Sequence, residues 1–97
     1  MDTQAAKVLY TEQERQRLFE EMIADHGSEW AEQYKPGSFG CHELLDRTAL
    51  AADTVERYVL CHPACVQNKS WFVLAERAVA ALRELYQQIG EEHLGNK

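Results

Sequence analysis

The sequence predicts an all-α protein, a small bundle of three helices. Two stretches, residues 41–61 and 70–90, carry apolar residues at alternating steps of four and three, the spacing of a helix that packs along one side. A shorter amphipathic stretch begins with a capping sequence at Thr11. No segment shows the alternation of apolar and polar residues that is typical of a half-buried strand.

The first helix is predicted to begin directly after Thr11. Thr11 and Glu14 form a capping box, in which the hydroxyl accepts a hydrogen bond from the Glu14 amide. Gly27 is a favourable residue for the C-terminal cap. The narrow apolar side of this helix consists of Leu18, Phe19, Met22 and Ile23. We expect it to cover the other two helices, with a further short helical turn either near the N-terminus or within residues 28–35.

The second helix, residues 41–61, is the element around which the chain is organised. Turn-forming residues precede it, and Pro63 ends it because proline lacks an amide hydrogen and disfavours helical angles in the residue before it. Its apolar seam is predicted to be Cys41, Leu45, Thr48, Ala52, Val55 and Val59, flanked by Leu44, Ala51 and Tyr58. We expect one unbroken rod of roughly 30 Å.

The third helix, residues 70–90, is predicted to begin after a cap at Asn68 or Ser70 and to end at Gly90. Its predicted seam is Trp71, Ala75, Ala78, Leu82, Leu85 and Ile89. Because the linker is short, residues 41–61 and 70–90 should form a long antiparallel hairpin. If residue 61 lies opposite residue 70, residue 51 faces residue 80 and residue 41 faces residue 90.

The composition favours one helical domain over residues 1–97, with residues 1–10 and 91–97 as flexible ends. Of the 97 residues, 45% are hydrophobic, enough for a packed core. The formal charge of −6, concentrated in the first third of the chain, argues against nucleic acid as a direct partner, since phosphate binding needs clustered Lys and Arg.

The first residues lack the pattern of a secretory signal, and no apolar stretch is long enough to span a bilayer. Three cysteines, an odd number, fit reduced thiols better than a disulfide framework. We therefore expect a cytoplasmic protein that does not bind membranes.

Two sets of residues are candidates for a metal site, with zinc as the candidate ion. Cys41 and Cys61 are separated by roughly 30 Å of helix, so they cannot meet within one subunit, and Cys61 with Cys65 makes only a half-site. The antiparallel pairing instead gathers histidines at one end of the bundle. The candidate ligands there are His26, His42, His93 and Asp46.

Catalysis is not predicted. The sequence from His42 to Asp46 differs by one residue from the zinc-protease motif, with aspartate in place of the second histidine. Such a short match arises often by chance, and no strands are predicted that would build a substrate cleft beside it.

Aromatic side chains with an acidic rim indicate a surface that binds another protein. The candidate partner-binding residues are Trp30, Tyr34, Phe39 and Leu50. The leading interpretation is a small cytosolic helical module for protein interaction or regulation, without catalytic activity, which forms a homodimer through the broad apolar side of its long helices. The alternatives are a metal-binding module and an acidic inhibitor that imitates nucleic acid.

Overall fold

The computed structural model describes residues 11–95, and every regular element within them is helical, which confirms the all-α class. In chain order the elements are helix α1 (Glu12–His26), a 3-10 turn (Trp30–Gln33), helix α2 (Phe39–Val55), a π-helical segment (Glu56–Leu60), helix α3 (Pro63–Val66) and helix α4 (Lys69–Leu94). The 3-10 turn is the short helical turn expected within residues 28–35. Predictions for residues 1–10 lie outside the described residues.

The chain divides into two compact units, the first ending at Glu32 and the second beginning at Gln33. The single domain and the three-helix arrangement therefore stay predictions. Within residues 11–95, no helix combines the length and the apolar character that crossing a membrane requires.

Helix α1 begins and ends as its sequence predicts. The Thr11 hydroxyl oxygen accepts a hydrogen bond from the Glu14 amide at 3.2 Å. At the other end Gly27 has a φ of 91°, which favours glycine, and its N–H donates to the Ile23 carbonyl at 2.8 Å. The exposed side of α1 carries ion pairs one turn apart, including Arg15 with Glu12 at 2.6 Å.

Helix α2 begins in a closely packed turn. The Ser38 hydroxyl caps it by accepting a hydrogen bond from the Cys41 amide at 3.1 Å. The Gln33 carbonyl oxygen and the Tyr34 ring occupy the space that a Cβ at Gly40 would need, with Tyr34 Cε1 only 2.8 Å from that position. Gly40 is therefore required by the approach of the preceding turn.

The segment predicted as one helix over residues 41–61 is helical without a gap through Leu60, but it is not α-helical throughout. The α-helical hydrogen bonds stop at Val55, and the Cys61 amide donates to the Glu56 carbonyl, five residues back, at 3.1 Å. Such a π turn holds one more residue than an α turn, so it rotates the side chains that follow. Val59, which was expected in the seam, is 48% exposed as a result.

The connection after the π segment also differs from prediction, because it contains helix α3. Pro63 occupies its first turn, where a missing amide hydrogen costs nothing, and His62 Nδ1 caps it by accepting from the Ala64 amide at 3.0 Å. Asn68 then caps α4 through a hydrogen bond from the Trp71 amide at 3.1 Å, one of the two caps predicted.

Helix α4 continues past Gly90 to Leu94, so the predicted end at Gly90 is wrong. A lone glycine weakens a helix by only about 1 kcal/mol. Good helix formers follow it, and the Gly95 amide closes the last turn by donating to the Glu91 carbonyl at 3.0 Å. Contacts of His93 with the start of α2 hold this turn in place.

Helices α2 and α4 contact each other in opposite chain order. His42 lies beside His93, Leu45 beside Gly90, and Asp53 beside Arg83. These pairs are offset by about one helical turn from the predicted register.

The buried residues between α2, α3 and α4 are mostly small. They are Cys41, Leu45, Thr48, Ala52, Cys65, Ala75 and Val79. The predicted seam of α2 is thus buried at its first four positions. In the predicted seam of α4 only Ala75 is buried, whereas Trp71 is 57% exposed and Leu85 45% exposed. The apolar pattern of α4 is wider than its contact with α2, because Val79 rather than Ala78 faces the partner helix.

Candidate functional site

One side of the pair α2 and α4 is apolar and exposed, and we call it the apolar face. Its residues are Leu44, Ala51 and Tyr58, seven residues apart along α2 and the π segment, and Trp71, Leu74, Ala78 and Leu85 along α4. Leu44 and Ala51, seven residues apart in α2, lie on the same side of the helix after two turns. Tyr58 lies in the π segment, and its place on this face is shown by the cleft that it lines together with Trp71 and Leu74. The five large side chains of this face are 45–65% exposed, so neither helix covers the other here.

The opposite side of the same pair is polar. Arg83 of α4 bonds Asp53 at 3.0 Å and Glu56 at 2.6 Å across the two elements. The hydrogen bond that Arg83 donates to Glu56 is the main cause that raises the pKa of Arg83. Asp53 follows Ala51 by two residues and Arg83 follows Ala78 by five, which at 3.6 residues per turn places both on the far side from the apolar face. The second unit is thus amphipathic as a whole.

An open cleft of about 550 Å³ lies at one end of the apolar face. The π segment, α3 and α4 form its walls, with Tyr58, Val59, Cys65, Trp71 and Leu74 among the lining side chains. The π turn creates part of this wall by rotating Val59 out of the helix seam. The cleft is apolar and shallow, which suits a hydrophobic side chain.

At the other end of the pair, two histidines join the start of α2 to the last turn of α4. The Gly37 amide donates to His93 Nδ1 at 2.7 Å, and His93 Nε2 lies 3.3 Å from His42 Nδ1. His42 Nε2 faces the Asp46 carboxylate at 3.6 Å. Gly37 has a φ of 91°, a conformation that glycine adopts without strain.

The Gly37 amide fixes the direction of these contacts. An amide N–H only donates, so His93 Nδ1 must accept and His93 Nε2 must carry a hydrogen. That hydrogen points at His42 Nδ1, which leaves the His42 hydrogen on Nε2, toward Asp46. The chain of donors runs from Gly37 through both imidazoles to Asp46, and it ties the two helix ends together.

The structure brings three of the four predicted metal ligands together, His42, His93 and Asp46. His26 ends α1 and belongs to the first unit. Among residues 11–95, no group of three or more His, Cys, Asp or Glu side chains is arranged to hold a metal ion. Cys41 and Cys65 are buried, Cys61 is exposed, and all three thiols are free.

The four predicted partner-binding residues do not form one patch within the second unit. Trp30 belongs to the first unit, where its ring centroid lies 5.8 Å from that of Phe19. Tyr34 packs against Gly40, which gives its ring a structural role. Phe39 and Leu50 are strongly exposed, at 85% and 67%, but they lie about three turns apart on α2. Their role in binding stays a prediction.

Sequence reasoning assigned Trp71 and Leu85 to the contact between the long helices and so missed them as surface residues. The flanking repeat of Leu44, Ala51 and Tyr58 is the signal that could have located the face, because it widens the apolar side beyond what one neighbour can cover. The cleft had no such signal, since it depends on the π turn.

Comparison of the chain with protein-family models, with curated proteins and with solved structures finds no match.

Proposed function

We propose that this chain is a protein-interaction module without catalytic activity of its own, and that it binds through the apolar face. The observation that carries this proposal is the exposure of five large apolar side chains on one side of a well-formed helix pair. A patch of this kind on a small unit is typical of a binding surface. The polar contacts of Arg83 on the opposite side give the unit a defined solvent-facing surface.

The small hydrophobic core of the second unit supports the same proposal. The largest buried side chain of the second unit is Leu45, whereas its Trp71, Tyr58 and Phe72 are all more than a third exposed. In a unit of about 65 residues a single hydrophobic core rarely supplies more than about 3–5 kcal/mol, so additional stabilisation is favourable. A partner on the apolar face would supply it. We place the module in the cytoplasm, where its buried free thiols would stay reduced.

Two alanines of α4 provide matched variants to test the face. Ala78 and Ala80 are both exposed and two residues apart, so they lie on opposite sides of the helix. Capture from the native host with the wild type, Ala78→Glu and Ala80→Glu as baits should retain a partner with the wild type and Ala80→Glu only. Equal recovery with all three baits would show that the apolar face does not bind.

A metal-binding module is the second candidate, and one distance favours it. His42 Nδ1 and His93 Nε2 are 3.3 Å apart, close to the separation of two nitrogens on one tetrahedral zinc ion. The Gly37 amide opposes it, because zinc on His93 Nε2 would place a hydrogen on Nδ1, facing the amide hydrogen. Native mass spectrometry of protein purified with zinc, before and after chelation, tests it: a mass unchanged by the chelator rejects the metal.

The acidic-inhibitor alternative receives little support. Glu12, Glu14 and Glu21 of α1 are ion-paired with Arg15 or Arg17, and this pairing interrupts a continuous negative surface.

A further inference from the structure

We propose that the apolar face binds a second copy of this chain, packed face to face and in the opposite direction. The proposal rests on the interaction function above and names the partner. Each copy would contribute α2 and α4, so the dimer would contain a four-helix layer with the apolar faces inside.

The exposed area matches what a dimer needs. Five large side chains about half exposed offer on the order of 500 Å² of apolar surface, taking about 200 Å² for each when fully exposed. A standard interface buries about 800 Å² per partner, of which about 65% is apolar in homodimers. The face therefore supplies the apolar part of one such interface.

Charge permits self-association of this unit. Residues 33–97 contain eight acidic and seven basic residues, so the unit is close to neutral although the whole chain carries −6. Arg47, the charged residue of α2 nearest the face, is paired with Glu43 at 3.0 Å. Two copies thus meet without a cluster of like charges between them.

The two ends of the face complement each other. One end has the open cleft beside Tyr58 and Trp71, and the other end presents the exposed leucines Leu44 and Leu85. An isologous interface must be self-complementary. Opposite-direction packing places the leucines of each copy over the cleft of the other, whereas same-direction packing would place the two clefts against each other and leave them unfilled.

Light scattering after size-exclusion chromatography tests the partner. From about 1 to about 100 μM, the wild type and Ala80→Glu should show twice the monomer mass at the upper concentrations, with dissociation on dilution. Ala78→Glu should weaken the dimer at least about 100-fold, because it buries an unpaired charge. Circular dichroism checks that both variants keep the wild-type helix content.

Hydrogen exchange on the wild type serves as a measurement that needs no variant. Raising the concentration should slow exchange in residues 44–58 and 71–85 relative to α1. A wild type that stays monomeric throughout, or a dimer that Ala78→Glu leaves intact, overturns the second-copy proposal. The interaction function would still stand in the first case if the capture experiment separates Ala78→Glu from Ala80→Glu.

The direction of packing has its own test. Lys69 begins α4 near one end of the face, and a spin label at Lys69→Cys, with Cys61→Ser to remove the exposed native thiol, reports the distance between copies. Packing in opposite directions predicts about 30 Å between the two labels, from the rise of 1.5 Å per residue. A distance of about 15 Å, the width of adjacent helices with their labels, would overturn this orientation.

Discussion

Alanine at Gly40 and alanine at Gly90 should change stability in opposite directions. Both glycines lie in helices of the second unit, and replacing a helical glycine with alanine ordinarily stabilises a protein by about 0.5–1 kcal/mol. At Gly90 the new Cβ would lie 3.8 Å from Leu45 Cδ1, an ordinary contact. Gly90→Ala is therefore expected to raise stability by about that amount.

At Gly40 the new Cβ would overlap the Gln33 carbonyl oxygen and the Tyr34 ring. The carbonyl belongs to the backbone, so relief requires moving the whole turn before α2. Overpacking of this kind costs about 1–3 kcal/mol, and the gain in helix propensity offsets only part of it. Gly40→Ala should lose about 1–2 kcal/mol, which places the two variants about 2–3 kcal/mol apart.

Thermal and urea unfolding followed by circular dichroism, at one fixed protein concentration, measure this difference. In a domain of this size it corresponds to melting temperatures about 10–20 °C apart. Tyr34→Ala combined with Gly40→Ala should lose less stability than the two single changes together, because the ring is one source of the overlap. If Gly40→Ala proves as stable as Gly90→Ala, the close approach of residues 33–34 to α2 is refuted.

Three further perturbations test the core, the histidine chain and an ion pair. Leu45→Ala should cost about 2–4 kcal/mol in urea unfolding, since Leu45 is 4% exposed; a loss below about 1 kcal/mol would contradict its place in the core. His93→Ala should cost about 1 kcal/mol and speed amide exchange at Gly37, whose hydrogen bond it removes. Unchanged exchange there would reject the contact. The hydrogen bond from Arg15 lowers the pKa of Glu12, so this carboxylate stabilises α1 above the ordinary glutamate pKa and loses that effect as the pH falls. Far-UV circular dichroism should show helicity falling on acidification less in Glu12→Gln than in the wild type, and equal losses would argue against the pair.

The sequence predicted a helix end correctly wherever the capping residue lies within a few residues of the backbone group that it bonds. Thr11, Gly27 and Asn68 all act as predicted, because each bonds a backbone group of its own helix end. Gly90 was misleading for the converse reason. Its effect on the helix is only about 1 kcal/mol, and a tertiary contact at His93 offsets it.

The candidate site was only partly predictable. His42, Asp46 and His93 were expected to gather at one end, and they do, because the antiparallel order of α2 and α4 follows from a short linker. The cleft was not expected. Its wall depends on a π turn at Glu56–Leu60. This segment contains no proline or glycine from which the turn could have been predicted.

By itself, the sequence determined the helical class, the caps and the existence of two long helices with apolar sides, since these depend on residue spacing and on hydrogen bonds between near neighbours. The tertiary structure alone decided which part of each apolar side is buried. The packing of α2, the π segment and α3 against α4 buries Val79 and leaves Trp71 and Leu85 exposed. Periodicity identifies an apolar side, but packing between elements distant in the chain determines how much of it remains available to a partner.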